Sequence, residues 1–199
     1  MLKRRPIVGL TGGGDKLSPE RIKLAHDVGA MIGGLGANLL MSASYAVAQA
    51  AADGFASVPQ PRGISFGDIA RDPAGLLDKK SCADDGTPFS SRFVELAMFT
   101  RVETLDKPRT QERSRVNLLT CDAIVALPGG AGTRVDVDAA AREHARPAIV
   151  LVGPAEEFGA DLRSAFLHAS DAAAAEARLC RELASRGFML VKRGQAAPA

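Results

Sequence analysis

Asp122-Ala-Ile-Val-Ala-Leu127 runs directly into Pro128-Gly-Gly-Ala-Gly-Thr133, and this junction decides the predicted fold. The first half is short and apolar, which is typical of a buried parallel strand. From Thr133 to about Ala145 the chain is rich in alanine and is predicted to form a helix. α/β proteins bind phosphate where a strand, a glycine turn and a helix N-terminus follow one another, because backbone N–H groups and the helix dipole point at the anion. The predicted phosphate cradle consists of Gly129, Gly130, Gly132 and Thr133.

A second glycine cluster follows the first apolar segment of the chain. Thr11-Gly12-Gly13-Gly14 comes directly after Pro6–Leu10, so Thr11, Gly12 and Gly13 are candidates for ligand contact. Neither cluster fits a dinucleotide or P-loop motif, since Val135 stands where the first needs glycine and Asp15 where the second needs lysine. One glycine-rich turn is as often a tight connection as a binding site, whereas two turns after apolar strands favour a ligand site.

Segments predicted as strands alternate with segments predicted as helices. The strands are expected at Pro6–Leu10, Ala37–Met41, Arg62–Phe66, Phe93–Glu103, Asp122–Leu127 and Ala148–Val152, and the helices at Ser18–Ile32, Tyr45–Ala52, Thr110–Thr120, Thr133–Ala145, Glu156–His168 and Asp171–Arg186. This alternation predicts an α/β fold, a Rossmann-like doubly wound parallel sheet with helices on both faces, in a single domain spanning residues 1–199. Both glycine turns then lie at the carboxyl edge of the sheet, where such folds bind ligands.

Local signals predict where some of these elements begin and end. Ser18 is expected to cap the first helix with Pro19 in its first turn. Gly54 is expected to end the second helix. The polar stretch Asp68–Ser91 is predicted to be a surface loop or a partly ordered insertion.

The stretch Pro128-Gly-Gly-Ala-Gly-Thr-Arg-Val-Asp136 resembles the P-G-G-x-G-T-x-x-E motif of the LONELY GUY (LOG) family of Rossmann-like phosphoribohydrolases. Glu112-Arg113-Ser, followed by Asp122 and the motif strand, resembles the family's E-R-K…D-A-hydrophobic-A-L-P-G-G pattern. Two departures stand out. Asp136 replaces the family's glutamate, and Leu39–Tyr45 lacks the glycines of the family's second turn.

The resemblance implies an enzyme that cleaves the N-glycosidic bond of a purine or modified purine nucleoside 5′-monophosphate. Asp136 is then the catalytic carboxylate that stabilises an oxocarbenium-like state or activates water. Arg113 is the cation that holds the phosphate beside the cradle. Molybdenum cofactor carriers resemble the same fold, so the alternative is a protein that binds a nucleotide or a phosphorylated pterin without converting it. Either way the resemblance implies a nucleotide-like ligand with a phosphate and a homodimer or homotetramer.

Structural explanations compete with these roles. Thr133-x-x-Asp136 also resembles a capping box, with Thr133 as N-cap and Asp136 in the first turn, which stabilises a helix without catalysis. Arg113 lies in a charged segment and could be a solvated surface residue, in which case Arg115 takes its place.

Composition narrows the class of protein. The chain has 199 residues, 46% of them hydrophobic, and a formal net charge of +2, which gives no argument for nucleic-acid binding. It has no apolar run long enough to span a membrane and no signal peptide, so a cytoplasmic location is predicted. Three cysteines and three histidines are scattered along the chain, and we predict no disulfide framework, no metal site and no cofactor.

Overall fold

The computed structural model describes residues 4–13, 18–42, 46–59, 63–71, 94–101, 116–142 and 147–190. Its strands are β1 (Ile7–Gly13), β2 (Asn38–Ser42), β3 (Ser65–Arg71), β4 (Leu96–Arg101), β5 (Ala123–Gly129), β6 (Ala148–Val152) and β7 (Leu167–Ala169). Its helices are α1 (Pro19–Gly34), α2 (Ala46–Ala56), α3 (Ala131–Arg142), α4 (Ala160–Ala165) and α5 (Ala172–Ser185), with a 3-10 turn at Ala155–Glu157. Residues 116–120 are also helical.

The strands form one seven-stranded sheet in the order β4-β3-β2-β1-β5-β6-β7, and all neighbours pair in parallel. The chain builds the sheet outward from β1 to β4, then returns to the centre and builds outward from β5 to β7 in the other direction. The direction of building therefore reverses between β1 and β5. This order confirms the predicted doubly wound α/β fold, and it defines a topological switch point between these two strands.

Two apolar layers cover the two faces of the sheet. One contains residues of α1, α2 and α5, and the other contains Leu118, residues of α3 and the segment around α4. Along β5, Val125 and Leu127 belong to the first layer, whereas Ile124 and Ala126 belong to the second. This division follows from the strand, because successive side chains point to opposite faces. Since both faces are covered, β5 is apolar without alternation, as its sequence indicated.

Helix α1 begins as predicted. Ser18 is the N-cap, its hydroxyl accepts a hydrogen bond from the N–H of Arg21, and Pro19 occupies the first turn. The expected end of α2 at Gly54 is wrong, because Gly54 lies inside that helix. A Cβ at Gly54 would lie 1.9 Å from the carbonyl oxygen of His26 in α1. This glycine therefore allows two helix backbones to approach each other and does not stop the second one.

The predicted helix Glu156–His168 is also wrong. The chain there forms a 3-10 turn, the short helix α4 and the strand β7. β7 pairs with β6, with Leu167 opposite Val150, so it completes the sheet at one edge. Hydrogen bonds to a distant strand decide this segment, and helix propensity along the chain does not report them.

Asp68 was expected in a loop and instead lies within β3, where it pairs with Ser42 of β2. Residues 72–91 of the predicted loop lie outside the described residues. The carboxylate of Asp68 therefore lies in the sheet, fully buried, and not on the surface as predicted.

Candidate functional site

The two glycine turns meet at the switch point. Gly13 at the end of β1 pairs with Gly129 at the end of β5, and the register shifts between Thr11 and Gly13. Gly12 and Gly13 have φ angles of 148° and 123°, a region that residues with a Cβ rarely adopt. A Cβ at Gly129 would lie 3.1 Å from the backbone nitrogen of Gly13. The structure thus brings both predicted clusters together. They can approach this closely because glycine has no side chain.

Helix α3 begins at the second glycine turn. The carbonyl of Gly130 accepts a hydrogen bond from the N–H of Arg134, with a donor–acceptor distance of 3.3 Å. Gly130, Ala131 and Gly132 are exposed, and a Cβ on Gly130 or Gly132 would meet no atom within 4 Å. The first N–H groups of a helix have no acceptor within the helix. They lie here beside open space, which is what phosphate binding requires.

The capping-box interpretation of Thr133 and Asp136 is wrong. Because α3 starts at Ala131, Thr133 lies inside the first turn and Asp136 lies in the second. An N-cap residue must precede the helix with extended backbone, so Thr133 cannot take that position. Its hydroxyl instead occupies the space that a side chain on Gly129 would need, since a Cβ there would lie 2.1 Å from the Thr133 Oγ1.

The carboxylate of Asp136 faces β1. Thr11 Oγ1 donates a hydrogen bond to Asp136 Oδ2 over 2.7 Å, in a part-buried position. This bond joins the end of β1 to the second turn of α3. Two predicted site residues that belong to different motifs, Thr11 and Asp136, therefore contact each other. The Thr11 hydroxyl holds Asp136, and the ligand contact expected of Thr11 stays a prediction. Arg113, the predicted catalytic cation, lies outside the described residues together with Arg115.

A small cavity opens on the other side of the α3 N-terminus. Its volume is about 170 Å³, and its lining includes Gly129, Thr133, Arg134, Glu157, Phe158 and Leu162. Arg134 forms an ion pair with Asp161, and its guanidinium lowers the pKa of that carboxyl below the ordinary value. Pockets for whole small molecules are larger, on the order of 300 Å³ or more. This cavity alone is smaller than such pockets.

Polar side chains lie farther along this edge, and two of them, Asp68 and Asn117, were not predicted as site residues. Asp68 Oδ2 accepts a hydrogen bond of 2.9 Å from Asn117 Nδ2, and the Asp68 side chain is fully buried. Ser42, at the end of β2, has a buried hydroxyl with no hydrogen-bond partner among the described residues. Asn117 follows Arg113 by four residues in a predicted helix, so the two share one face of that helix. This spacing was the signal that could have identified Asn117 as a site residue. Asp68 gave no such signal, because its strand was predicted too short.

We also considered a metal site, a reactive cysteine and a membrane-spanning helix among the described residues. Within them, no group of three or more His, Cys, Asp or Glu side chains is placed to hold a metal ion. The thiol of Cys121 is buried against Gly9, and burial raises its pKa to about 12. The raised pKa favours the protonated thiol, which donates a hydrogen bond to the carbonyl oxygen of Asn117. Among the same residues, no helix has the length and apolar character needed to cross a membrane.

Solved structures share this fold. The molybdenum cofactor carrier protein MCP from Chlamydomonas reinhardtii is 24% identical, with a TM-score of 0.66 over 91% of this chain and 99% of that one. The molybdenum cofactor binding protein from the phototrophic bacterium Rippkaea orientalis is 23% identical, with a TM-score of 0.66 over 92% and 99%. DNA processing protein A from Helicobacter pylori, which binds single-stranded DNA, is 9% identical, with a TM-score of 0.66 over 89% and 81%. At these identities the likeness is one of fold.

Comparison of sequences gives the family. No curated protein sequence matches the chain. The sequence profile of the SLOG cluster4 family matches residues 5–178, which is most of the chain. This match confirms the predicted relationship to the LOG family, and the carrier structures confirm a shared fold. The chain belongs to the SLOG cluster4 family.

Proposed function

We propose that this protein binds a phosphorylated heterocyclic small molecule at the switch point and releases it unchanged. The ligand class is a nucleotide or a phosphorylated pterin such as the molybdenum cofactor. The observation that carries the proposal is the meeting of the two glycine turns, with Gly13 paired to Gly129 at the start of α3. Open-sheet α/β proteins bind ligands at this position.

The phosphate is assigned to the first turn of α3. Backbone N–H groups of Ala131, Gly132 and Thr133 lack intrahelical acceptors, and the dipole of this twelve-residue helix adds positive potential. Gly130 and Gly132 leave the space beside these groups open. Thr11, Gly12 and Gly13 complete the opposite wall from β1, and Arg113 is proposed to supply a side-chain cation.

Binding without conversion is favoured by the state of Asp136. Its Oδ2 accepts the Thr11 hydroxyl over 2.7 Å, so this carboxylate serves as a link between β1 and α3. A carboxylate that stabilises an oxocarbenium-like centre must face the sugar. One structural relative is a molybdenum cofactor carrier protein and another is a molybdenum cofactor binding protein, and this chain covers 99% of each.

The second candidate function is a phosphoribohydrolase. It is favoured by the position of Asp136, which is half-buried on α3 within the second turn after the phosphate cradle. In that reaction the phosphate is held at the cradle, the bond between ribose and base breaks, and water replaces the base. Asp136 would stabilise the developing positive charge on the ribose or activate the water.

The substitution Asp136→Asn separates the two functions. An asparagine keeps a carbonyl oxygen that accepts the Thr11 hydroxyl, but it removes the charge. For a binding protein we expect the affinity for guanosine 5′-monophosphate (GMP) to change by less than about fivefold, since a neutral hydrogen bond differs from a charged one by about 1 kcal/mol or less at a half-exposed site. We also expect no free base from either protein. Calorimetry measures the affinity and chromatography measures the base.

Asp138→Asn is the matched control, because Asp138 lies on the same helix and its side chain is 38% exposed. Release of free base by the native protein and by Asp138→Asn, but not by Asp136→Asn, would establish the hydrolase in place of the binding protein.

We infer from the family resemblance that the protein is a cytoplasmic homodimer or homotetramer and that residues 1–199 form one domain. The single seven-stranded sheet of the described residues supports the one-domain inference.

A further inference from the structure

Three polar side chains form a row across the sheet at its carboxyl edge. Leu10 of β1 pairs with Met41 of β2, so the residues that follow them, Thr11 and Ser42, are level. Ser42 pairs in turn with Asp68 of β3. The polar row therefore consists of Thr11, Ser42 and Asp68 on three adjacent strands.

All three side chains lie on the face of the sheet that α3 covers. Thr11 contacts Asp136 of α3, and Asp68 contacts Asn117 of the helical residues 116–120. In β2, Leu40 belongs to the apolar layer that contains α3 residues, and side chains two residues apart share a face. Ser42 therefore points to the same face as Leu40.

The two ends of the polar row have protein partners, and its centre does not. Thr11 and Asp68 are held by Asp136 and Asn117, respectively. Ser42 Oγ is buried and makes no hydrogen bond to any described residue. A buried hydroxyl without a partner destabilises a folded protein, and native structures nearly always satisfy such groups with protein, water or ligand.

We propose that Ser42 hydrogen-bonds the ring edge of the phosphorylated heterocycle whose phosphate lies at the turn Gly129–Gly130. This inference rests on the proposed function and names the part of the ligand that the sheet edge recognises. β2 is two strands away from β5, a distance of about 10 Å. That distance corresponds to the separation of a phosphate from a ring to which a sugar joins it. A hydroxyl donates and accepts, so it can pair with a ring N–H or a ring carbonyl.

The test compares two ligands and two serine hydroxyls, one at Ser42 and one at Ser65. GMP contains an amino-oxo-pyrimidine ring, which guanine shares with pterin, and ribose 5-phosphate has no ring system of this kind. Ser42→Ala is compared with Ser65→Ala, since Ser65 is a buried serine at the opposite end of β3 whose hydroxyl contacts Glu95. Isothermal titration calorimetry gives the dissociation constants, and thermal unfolding of the ligand-free proteins gives Tm.

We expect Ser42→Ala to weaken GMP binding by about five- to tenfold, the usual effect of one hydrogen bond, and to leave ribose 5-phosphate binding unchanged. Its ligand-free Tm should equal or exceed that of the native protein, because an unpartnered hydroxyl is removed. Ser65→Ala should lower Tm and leave both affinities unchanged.

Three results would overturn the assignment of Ser42: an unchanged GMP affinity in Ser42→Ala, an equal loss of affinity for ribose 5-phosphate, or a lowered ligand-free Tm in that variant. If the native protein binds ribose 5-phosphate as tightly as GMP, the ring is not recognised and the inference is wrong although phosphate binding stands. If it binds neither compound, the proposed function itself is wrong.

Discussion

At the scale of single residues, the glycines of the predicted phosphate cradle differ in the space around them. Gly129 has no room for a side chain, since its Cβ would lie 2.1 Å from Thr133 Oγ1 and 3.1 Å from Gly13 N. Gly132 has open space around it, with no atom within 4 Å of an added Cβ. Gly129 is thus needed for the contact between β1 and α3, whereas Gly132 leaves open the space in which we propose that the ligand binds.

This difference predicts opposite results for two alanine substitutions. Gly129→Ala should destabilise the protein by about 1–3 kcal/mol, because the first turn of α3 must move away from β1. For Gly132→Ala we expect an unchanged or higher Tm, since alanine is the better helix former, and weaker GMP binding, since the methyl group occupies the ligand space. Thermal unfolding and calorimetry measure the two effects. An unchanged GMP affinity in Gly132→Ala would place the phosphate elsewhere.

Several residues that sequence reasoning named as a site lie close together in the structure, and their role in binding stays a prediction. Gly12, Gly13, Gly129, Thr133 and Asp136 were identified from short motifs, and the structure places all of them around one point. Short motifs locate these residues because a glycine turn is local, so a few neighbouring residues specify it. The bond between Asp68 and Asn117 joins residues 49 positions apart, and no local pattern reports it.

At the scale of elements, glycine determines how closely α1 and α2 pack. A Cβ at Gly29 of α1 would lie 1.8 Å from the carbonyl oxygen of Ala51, and a Cβ at Gly54 of α2 would lie 1.9 Å from that of His26. Each helix therefore has a glycine where the backbone of the other passes. Gly54 was predicted to end the helix because the sequence does not show that α1 packs against this position.

The contact predicts a stability effect far from the site. Gly54→Ala should lower the free energy of unfolding by about 2 kcal/mol or more, because the steric cost of separating the helices exceeds the gain of up to about 1 kcal/mol in helix propensity. Gly34→Ala, at the end of α1 with no atom within 4 Å of the added Cβ, is the control and should be neutral or stabilising. Denaturant unfolding measures both. Equal stability of the two variants would show that α1 and α2 can adjust freely.

At the scale of the whole molecule, the position of the site follows from the strand order. β1 and β5 are far apart in sequence and adjacent in the sheet, and the chain leaves them in opposite directions. Only at such a reversal do the connections that follow two neighbouring strands separate and leave a crevice. Thr11 and Asp136 contact each other there across 125 positions of sequence.

The proposed homodimer or homotetramer is a prediction at this same scale. Light scattering after size-exclusion chromatography should give two or four times the chain mass of 20.8 kDa. The measurement is made with and without GMP, so that assembly driven by the ligand is detected. A mass of one chain in both conditions would contradict the inferred assembly.

The sequence by itself determined the class of fold and the positions of the two glycine turns, because hydrophobic periodicity and glycine placement act within a few residues of one another. The tertiary structure alone decided the strand order, the strand β7, the contact of Thr11 with Asp136 and the polar row that ends at Asp68. Each of these depends on pairing between residues distant in the chain. The free energy of such pairing comes from burial and hydrogen bonds formed only when the sheet assembles, so it leaves no periodic signal in the sequence.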